Sequence, residues 1–394
     1  MNQCTICGRE MAKIFSLGNQ PLANKYPASN DFFQKEIIEE MTVFYCDPCG
    51  YINVPCSIDR SVFFEDYYYL SSINRELVDH FQTLADEINK RNYKFVLDVG
   101  SNDGILLKPL KERGIRCIGI DPSENVSEIA NAAGLETLVG FFDASSIKSI
   151  KSKYGHPDLV CASSVFTHLE SPKDFFYTAN DLLSDKGEIL IEVEYLGDII
   201  ESLGFERFYF DRPHYYSVKS LKSLGEQAGF DLIRVERISP HGGSVRAIFA
   251  RCGSSPEIDD SVHVFIGNEA RLLTRLAITE QFGRFSEECE ILREKLEGFK
   301  RAGINVGAYG CPARFSTITN FANIGPDLLP HVVDDSPLKS GRFSPGKHVP
   351  IVPFSPSLRA EAYIVFAYEY IKSIREKVGD EKAEYFKPIP FQLI

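Results

Sequence analysis

The sequence predicts an α/β fold centred on a doubly wound, mostly parallel sheet, with a cysteine-bearing module ahead of it and a second strand–turn–helix unit behind it. Three observations predict this. For about 150 residues from Phe95, short apolar runs alternate with stretches of helical period, as in a parallel sheet joined by crossover helices. Two tight cysteine pairs stand in the first fifty residues. Finally, an apolar strand running into a glycine turn and a helix occurs twice, at FVLDVGSNDG (Phe95 to Gly104) and at GAYGCPARF (Gly307 to Phe315). On this pattern the chain divides into residues 1–58, 59–253 and 254–394.

Bulk properties limit what such a chain does. Its 394 residues exceed one ordinary core, and 44% hydrophobic with 25% charged residues describes a folded enzyme rather than a disordered chain. A formal charge of -12 argues against a nucleic-acid surface, whose affinity rests on Lys and Arg neutralising phosphates. No apolar run is long enough for a membrane span, and MNQCTICG lacks the apolar stretch of a signal peptide. A cytoplasmic protein, a monomer or a small homo-oligomer, is the expectation. Ten cysteines fit that reducing setting.

The first module is read from Cys4-x-x-Cys7-Gly8 and Cys46-x-x-Cys49-Gly50. In each, the glycine after the second cysteine lets backbone N–H groups face the thiolates, and four thiolates complete a tetrahedral zinc site. With no open position left, that zinc is structural. Phe15 to Asn24 and Met41 to Tyr45 read as strands of a small ribbon. Next come Tyr67, Tyr68 and Tyr69, just before Ser71-Ser72, and a helix with apolar positions at Leu77, Phe81, Leu84 and Ile88. The tyrosines are either amphipathic packing or, since they precede the central unit, partners of its site.

In the central unit, Gly100 permits a tight turn that brings backbone N–H groups to a ligand at a helix start. A second strand, CIGIDPSEN, ends in Asp121, seventeen residues after Gly104, where a carboxylate accepts both hydroxyls of a ribose. The order Asp98-x-Gly100-Ser-Asn102-Asp103-Gly104 lacks the third glycine of a dinucleotide fingerprint, and it resembles the first motif of class I S-adenosylmethionine methyltransferases. A third strand ends near Gly140 to Phe142, a fourth leads to Ser163, Ser164 and His168, and a fifth carries Glu192 and Glu194. Ligands collect at the carboxyl ends of such strands, so Phe142, Ser163 and His168 join the cofactor and active-site candidates. The unit closes with a helix, a strand from Phe230 to Arg237 and a last strand after HGGSVR (His241 to Arg246).

Before that closing helix, Phe205 to Leu221 crowds Tyr209, Asp211, Arg212, His214, Tyr215 and Tyr216 together. Burial of so many polar groups is costly unless they serve a site, and an active-site wall with acid/base groups is the functional reading. A solvated loop with aromatic anchors is the other. GSSPEIDDS (Gly253 to Ser261) reads as a linker, followed by a long helical stretch from Leu272 to Leu296 and then strands INVGAYG, HVVDDSP and AYIVFAYEY.

Taken together, FYFDRPHYYS, HGGSVR, the cysteine pairs with PLAN, YYYLSS, GSNDG, GAYGCPARF and DDSPLKSGRFSPGKHVPI (Asp334 to Ile351) resemble the nucleotide-sugar C-methyltransferases across nearly the whole chain. The resemblance implies a zinc module, a class I methyltransferase domain and a Rossmann-like domain around a nucleoside-diphosphate 4-keto-deoxysugar methylated at C3'. It assigns the cofactor to Asp98, Gly100, Asn102, Asp103, Gly104, Asp121, Phe142 and Ser163. The active site falls to His168, Tyr69 and Tyr209, and the sugar nucleotide to His241, Arg246, Tyr309, Arg314 and Lys339, although the second glycine turn alone reads equally as a relic of duplication. One departure stands out. Where the family carries Glu-His, with the histidine as base, this chain has Asp211-Arg212, and a guanidinium stays protonated. Either His214 takes over, or His168 or Tyr209 acts, or the acceptor chemistry differs, with Tyr209 or Arg212 stabilising an enolate. O-methylation of a sugar hydroxyl and a non-enzymatic zinc-ribbon scaffold are the alternative functions.

Overall fold

Seven strands form the central sheet, in the order Phe230–Ile238, Ser244–Arg251, Glu188–Glu194, Leu159–Ser163, Phe95–Val99, Arg116–Asp121 and Thr137–Val139. The last five run parallel, and Ser244–Arg251 lies antiparallel to both of its neighbours. Strand order reverses between Phe95–Val99 and Leu159–Ser163, which opens a crevice at their carboxyl ends. Phe95–Val99 is buried along its whole length, as a strand covered on both faces must be, and this explains the apolar run Phe95, Val96, Leu97 that opens it. This is the class I methyltransferase arrangement. The computed structural model describes residues 2–59, 61–64, 70–254 and 257–394, and the expected site residue Tyr69 lies outside them.

An antiparallel sheet precedes it, in the order Ala12–Pro21, Ile38–Cys46, Tyr51–Asn53 and His214–Tyr215. Its fourth strand comes from the polar aromatic insertion, with Ile52 opposite Tyr215 and Asn53 opposite His214. Six strands form the third sheet, in the order Ile351–Val352, Val332–Val333, Val306–Tyr309, Ala362–Val365, Glu384–Lys387 and Gln392–Leu393, parallel except for the last pair. The stretch expected to be one long helix is two, Asp260–Leu272 and Arg275–Ala302. Thr274 breaks it, since its side chain accepts from the Ala277 N–H and so begins a new helix. The second helix stops at Gly303, whose φ of 71° closes its end in the left-handed region.

The three sheets share cores. Cys4, Ile6, Met11 and Tyr51 pack in one buried cluster with Phe166, Phe175 and Phe176 of the central unit. Phe15, Leu17, Phe205, Phe208, Phe285 and Phe315 form part of another that draws on all three parts of the chain. Within it Phe15 stacks on Phe282 at 4.1 Å and meets Phe205 edge-on at 5.3 Å. Among the described residues no helix is long and apolar enough to cross a membrane.

Candidate active site

Both cysteine turns close on a glycine in the left-handed region, Gly8 (φ 71°) and Gly50 (φ 63°), with the Gly8 and Gly50 N–H groups donating to the Cys4 and Cys46 carbonyls at 2.8 Å. They bring four sulfurs together. Cys4 and Cys49 Sγ are 3.9 Å apart, Cys7 and Cys46 Sγ 3.6 Å, and all four lie within 4.8 Å of one another. A tetrahedron with Zn–S of about 2.3 Å has edges of about 3.8 Å, so the cluster fits zinc. Structural zinc is the group this donor set holds.

The glycine turn of the central sheet lies at the crevice. Gly100 (φ 73°) and Gly104 (φ 85°) take left-handed conformations, and a Cβ on Gly100 would come within 2.6 Å of Val165. Asp121 accepts from the Asn102 N–H and the Ser123 N–H, both at 2.9 Å. Burial raises the carboxyls of Asp98 and Asp121. Asn102 and Asp103 in turn receive the N–H groups of Ser71 (3.0 Å) and Ser72 (3.1 Å), which fastens the segment after the tyrosines onto the turn. Asp103 Oδ1 and Ser101 Oγ are buried without a partner. A cradle with spare acceptors and a carboxylate beside it suits the amino-acid and ribose ends of S-adenosylmethionine.

At the neighbouring strand ends the side chains interlock. Ser163 Oγ donates to Glu192, which also meets His80 Nε2 at 3.0 Å and accepts from Arg246 Nε at 2.7 Å. Burial raises the Glu192 carboxyl, but His80, Arg246 and Ser163 more than offset it and hold it at about 2. Arg246 further donates to Glu87 and Glu236, both at 2.6 Å, so this expected sugar contact is engaged by three carboxylates inside the protein. Phe142 packs 5.3 Å from Phe175.

The insertion supplies the wall of a charged cleft. Arg212 pairs with Glu194 and lies 5.4 Å from the Tyr209 ring, while Glu194 Oε2 is buried without a partner. Arg314, at the start of the helix Ala313–Phe321, donates to Glu369 at 2.6 Å and covers the Tyr368 ring at 4.8 Å. Buried Glu206 and Arg207 stand in the same electrostatic neighbourhood with Lys387. Burial raises the Glu206 carboxyl, and Arg207, Arg314 and Lys387 oppose that rise. His241 Nε2 is 3.0 Å from Ser164 Oγ. His168 Nδ1 donates to the Asp211 carbonyl, and Asp211 Oδ2 accepts from Asn24 at 3.3 Å, so PLAN borders the same cleft. Glu206, Arg207, Tyr368, Glu369 and Lys387 were not among the expected residues. For Glu206 and Arg207 the one signal was the pair of charges inside the aromatic run FERFYF. A cavity of about 700 Å³ beside Phe265 and Arg271 shares no lining residue with this cleft.

Three expected residues are committed elsewhere. His214 is buried in the seam between sheets, where Nε2 donates to the Leu169 carbonyl at 2.8 Å and Nδ1 meets the Tyr51 hydroxyl. A carbonyl only accepts, so neither nitrogen keeps a lone pair for a substrate proton, and the expected replacement base is in fact part of the seam. Lys339 Nζ donates to the Cys311 carbonyl (3.1 Å) and to Asp334 (3.2 Å). Tyr309 donates its hydroxyl to Asp335 at 3.0 Å.

Comparison with known proteins finds three family models along the chain. Residues 4–64 match a zinc-binding domain, 69–235 a methyltransferase domain and 239–390 the C-methyltransferase C-terminal domain. The chain is 25% identical over 404 aligned residues to C-methyltransferase NovU of Streptomyces niveus, covering 99% of this chain and 96% of that one. It is 26% identical over 179 residues to an uncharacterized methyltransferase of Staphylococcus carnosus, covering 41% and 83%. The structure of magnesium protoporphyrin IX methyltransferase from Synechocystis PCC 6803 with bound S-adenosylmethionine superposes with a TM-score of 0.37 at 15% identity, covering 50% of this chain and 100% of that one.

Proposed function

We propose that this chain, an S-adenosylmethionine-dependent C-methyltransferase with its zinc-binding, methyltransferase and C-terminal modules in family order, methylates C3' of a nucleoside-diphosphate 4-keto-deoxysugar. The observation that carries the reading is the charged cleft. Arg207, Arg212 and Arg314 gather there at the carboxyl ends of strands from two sheets, with the unpartnered Glu194 oxygen among them. Guanidiniums largely shielded from water suit a diphosphate and a developing enolate better than they suit an uncharged alcohol.

Asp98, Asp121, the Gly100–Gly104 turn, Asn102, Asp103, Phe142 and Ser163 hold the cofactor, which supplies an electrophilic methyl group. Arg314 takes the diphosphate. Arg212 donates to the ketone oxygen as charge builds on it, and Tyr209 lines the same wall beneath that guanidinium. A proton acceptor completes the site, since the 4-ketone acidifies the C3' hydrogen and a base removes it. Thiolate zinc ligands accord with a cytoplasmic setting.

The test is incubation with S-adenosylmethionine and a panel of keto and reduced nucleotide sugars, read by mass and by carbon NMR. A new methyl carbon bonded to carbon, on keto substrates alone, is expected. Methylation of the reduced sugars on oxygen overturns the reading.

A further inference from the structure

With Arg212 at the family's base position and His214 held in the seam, the cleft still has to supply a proton acceptor. Two imidazoles border it, His168 and His241. His168 gives Nδ1 to the Asp211 carbonyl. His241 differs. It stands in the turn before the strand Ser244–Arg251, and it takes φ of 57°, a left-handed conformation uncommon for a side-chain-bearing residue. Its partner Ser164 has φ of 59°. Two such residues, from different strand ends, joined by a 3.0 Å hydrogen bond, mark a segment whose backbone is set by its side chains.

The turn is clamped from below. Arg207 Nη1 donates to the His241 carbonyl at 3.0 Å. A Cβ on Gly242 would come within 2.6 Å of Arg207, and one on Gly243 within 2.4 Å of Asp198, so the two glycines let the turn settle onto these groups. One ring nitrogen faces Ser164. The groups that face the imidazole electrostatically are Glu194, Arg212, Arg207 and Arg314.

We propose that His241 is the base that removes the proton from the acceptor carbon in this enzyme. The proposal rests on the C-methylation reading above. In the step, the C–H bond breaks, the proton passes to the imidazole nitrogen lone pair, and the bonding electrons move onto the neighbouring carbonyl oxygen as an enolate. Arg212 is left in the role its fixed charge suits, donating to that oxygen. Glu194, whose second oxygen is unpartnered, is placed to favour the imidazolium that forms. In the resting cleft burial holds His241 down to about 4, with the three guanidiniums adding to the effect and Glu194 opposing it, so its lone pair is available across the neutral range.

Proton exchange tests this apart from methyl transfer. Full-length enzyme without cofactor is incubated in deuterated water with thymidine diphosphate 4-keto-6-deoxyglucose, and loss of the C3' proton signal is followed by NMR. His241→Gly suits the test because glycine adopts a positive φ without strain and leaves room for added imidazole. The expected result is a fall in exchange of at least about a hundredfold, restored in proportion to imidazole concentration, with S-adenosylmethionine affinity unchanged by calorimetry. His241→Asn, also tolerant of the left-handed region, should show the loss without the rescue. Exchange surviving in His241→Gly overturns the base assignment alone and returns the role to His168, as does a loss that imidazole leaves untouched. No exchange by the unaltered enzyme, or O-methylation of reduced sugars, overturns the C-methylation reading and this assignment with it.

Discussion

The chain folds the same local motif twice and uses it differently. At Phe95–Val99 and again at Val306–Tyr309, a buried strand runs into a left-handed glycine, Gly100 (φ 73°) or Gly310 (φ 84°). In each, an acidic residue after the next strand accepts two N–H groups. Asp121 takes those of Asn102 and Ser123, and Asp334 takes those of Cys311 (2.7 Å) and Ser336 (2.9 Å). The difference is in what closes the turn. The first keeps buried acceptors without partners at Ser101 and Asp103. The second is filled: Lys339 lies across it, and Tyr26 from the zinc module donates to the Cys311 carbonyl at 2.9 Å. A glycine turn after a strand is therefore a way to fold, and it serves a ligand only where side chains leave it open. Arg314, one turn further on, faces Glu369 and the charged cleft instead.

The largest effect should come from the module that seals the second turn. Metal analysis is expected to find about one zinc per chain, and its removal by a chelator should lower the unfolding free energy by on the order of 5 kcal/mol or more, read in a urea titration. Protein without zinc and of undiminished stability would mean that the four thiols are packing residues. Next are the glycines. Gly310→Ala drives a methyl to 2.5 Å from Ala367 and 2.9 Å from its backbone nitrogen, which cannot swing aside, so a loss of about 2–4 kcal/mol of stability is expected with cofactor affinity of the folded protein intact. Gly100→Ala drives a methyl to 2.6 Å from the Val165 side chain at a φ of 73° and should add weakened S-adenosylmethionine binding to its loss of stability. The carboxylates sharpen the contrast. Asp121→Ala should cost about 1–3 kcal/mol of cofactor affinity by calorimetry, and Asp334→Ala none, with only its stability reduced. Equal effects on binding would erase the distinction between the turns. The smallest is Tyr26→Phe, which removes one neutral hydrogen bond to the Cys311 carbonyl and should lower stability by about 1 kcal/mol in the same urea titration.

Much of this was readable from local pattern. GSNDG with Asp121 and the two cysteine pairs carry their geometry in short spacings, and the strands alternate with helices where periodicity put them. What was not readable depends on distant segments meeting. Nothing in HYY indicated that His214 would pair with Asn53 and close a sheet begun two hundred residues earlier, because a two-residue strand has no period to recognise. Likewise Glu206, Arg207, Glu369 and Lys387 look like solvated charges one at a time, and only their burial against Arg314 makes them a cleft.

The seam at His214 also bears on the order in which the molecule is assembled. The zinc module is synthesised ahead of the central and third units, yet its fourth strand is His214–Tyr215 and its Tyr26 bond waits for Cys311. Contacts of such sequence separation are slow to form, since a long loop must close before they are made. The amino-terminal module is thus among the last to be completed during synthesis, and until then its aromatic face stands open, a window in which chaperones bear on yield.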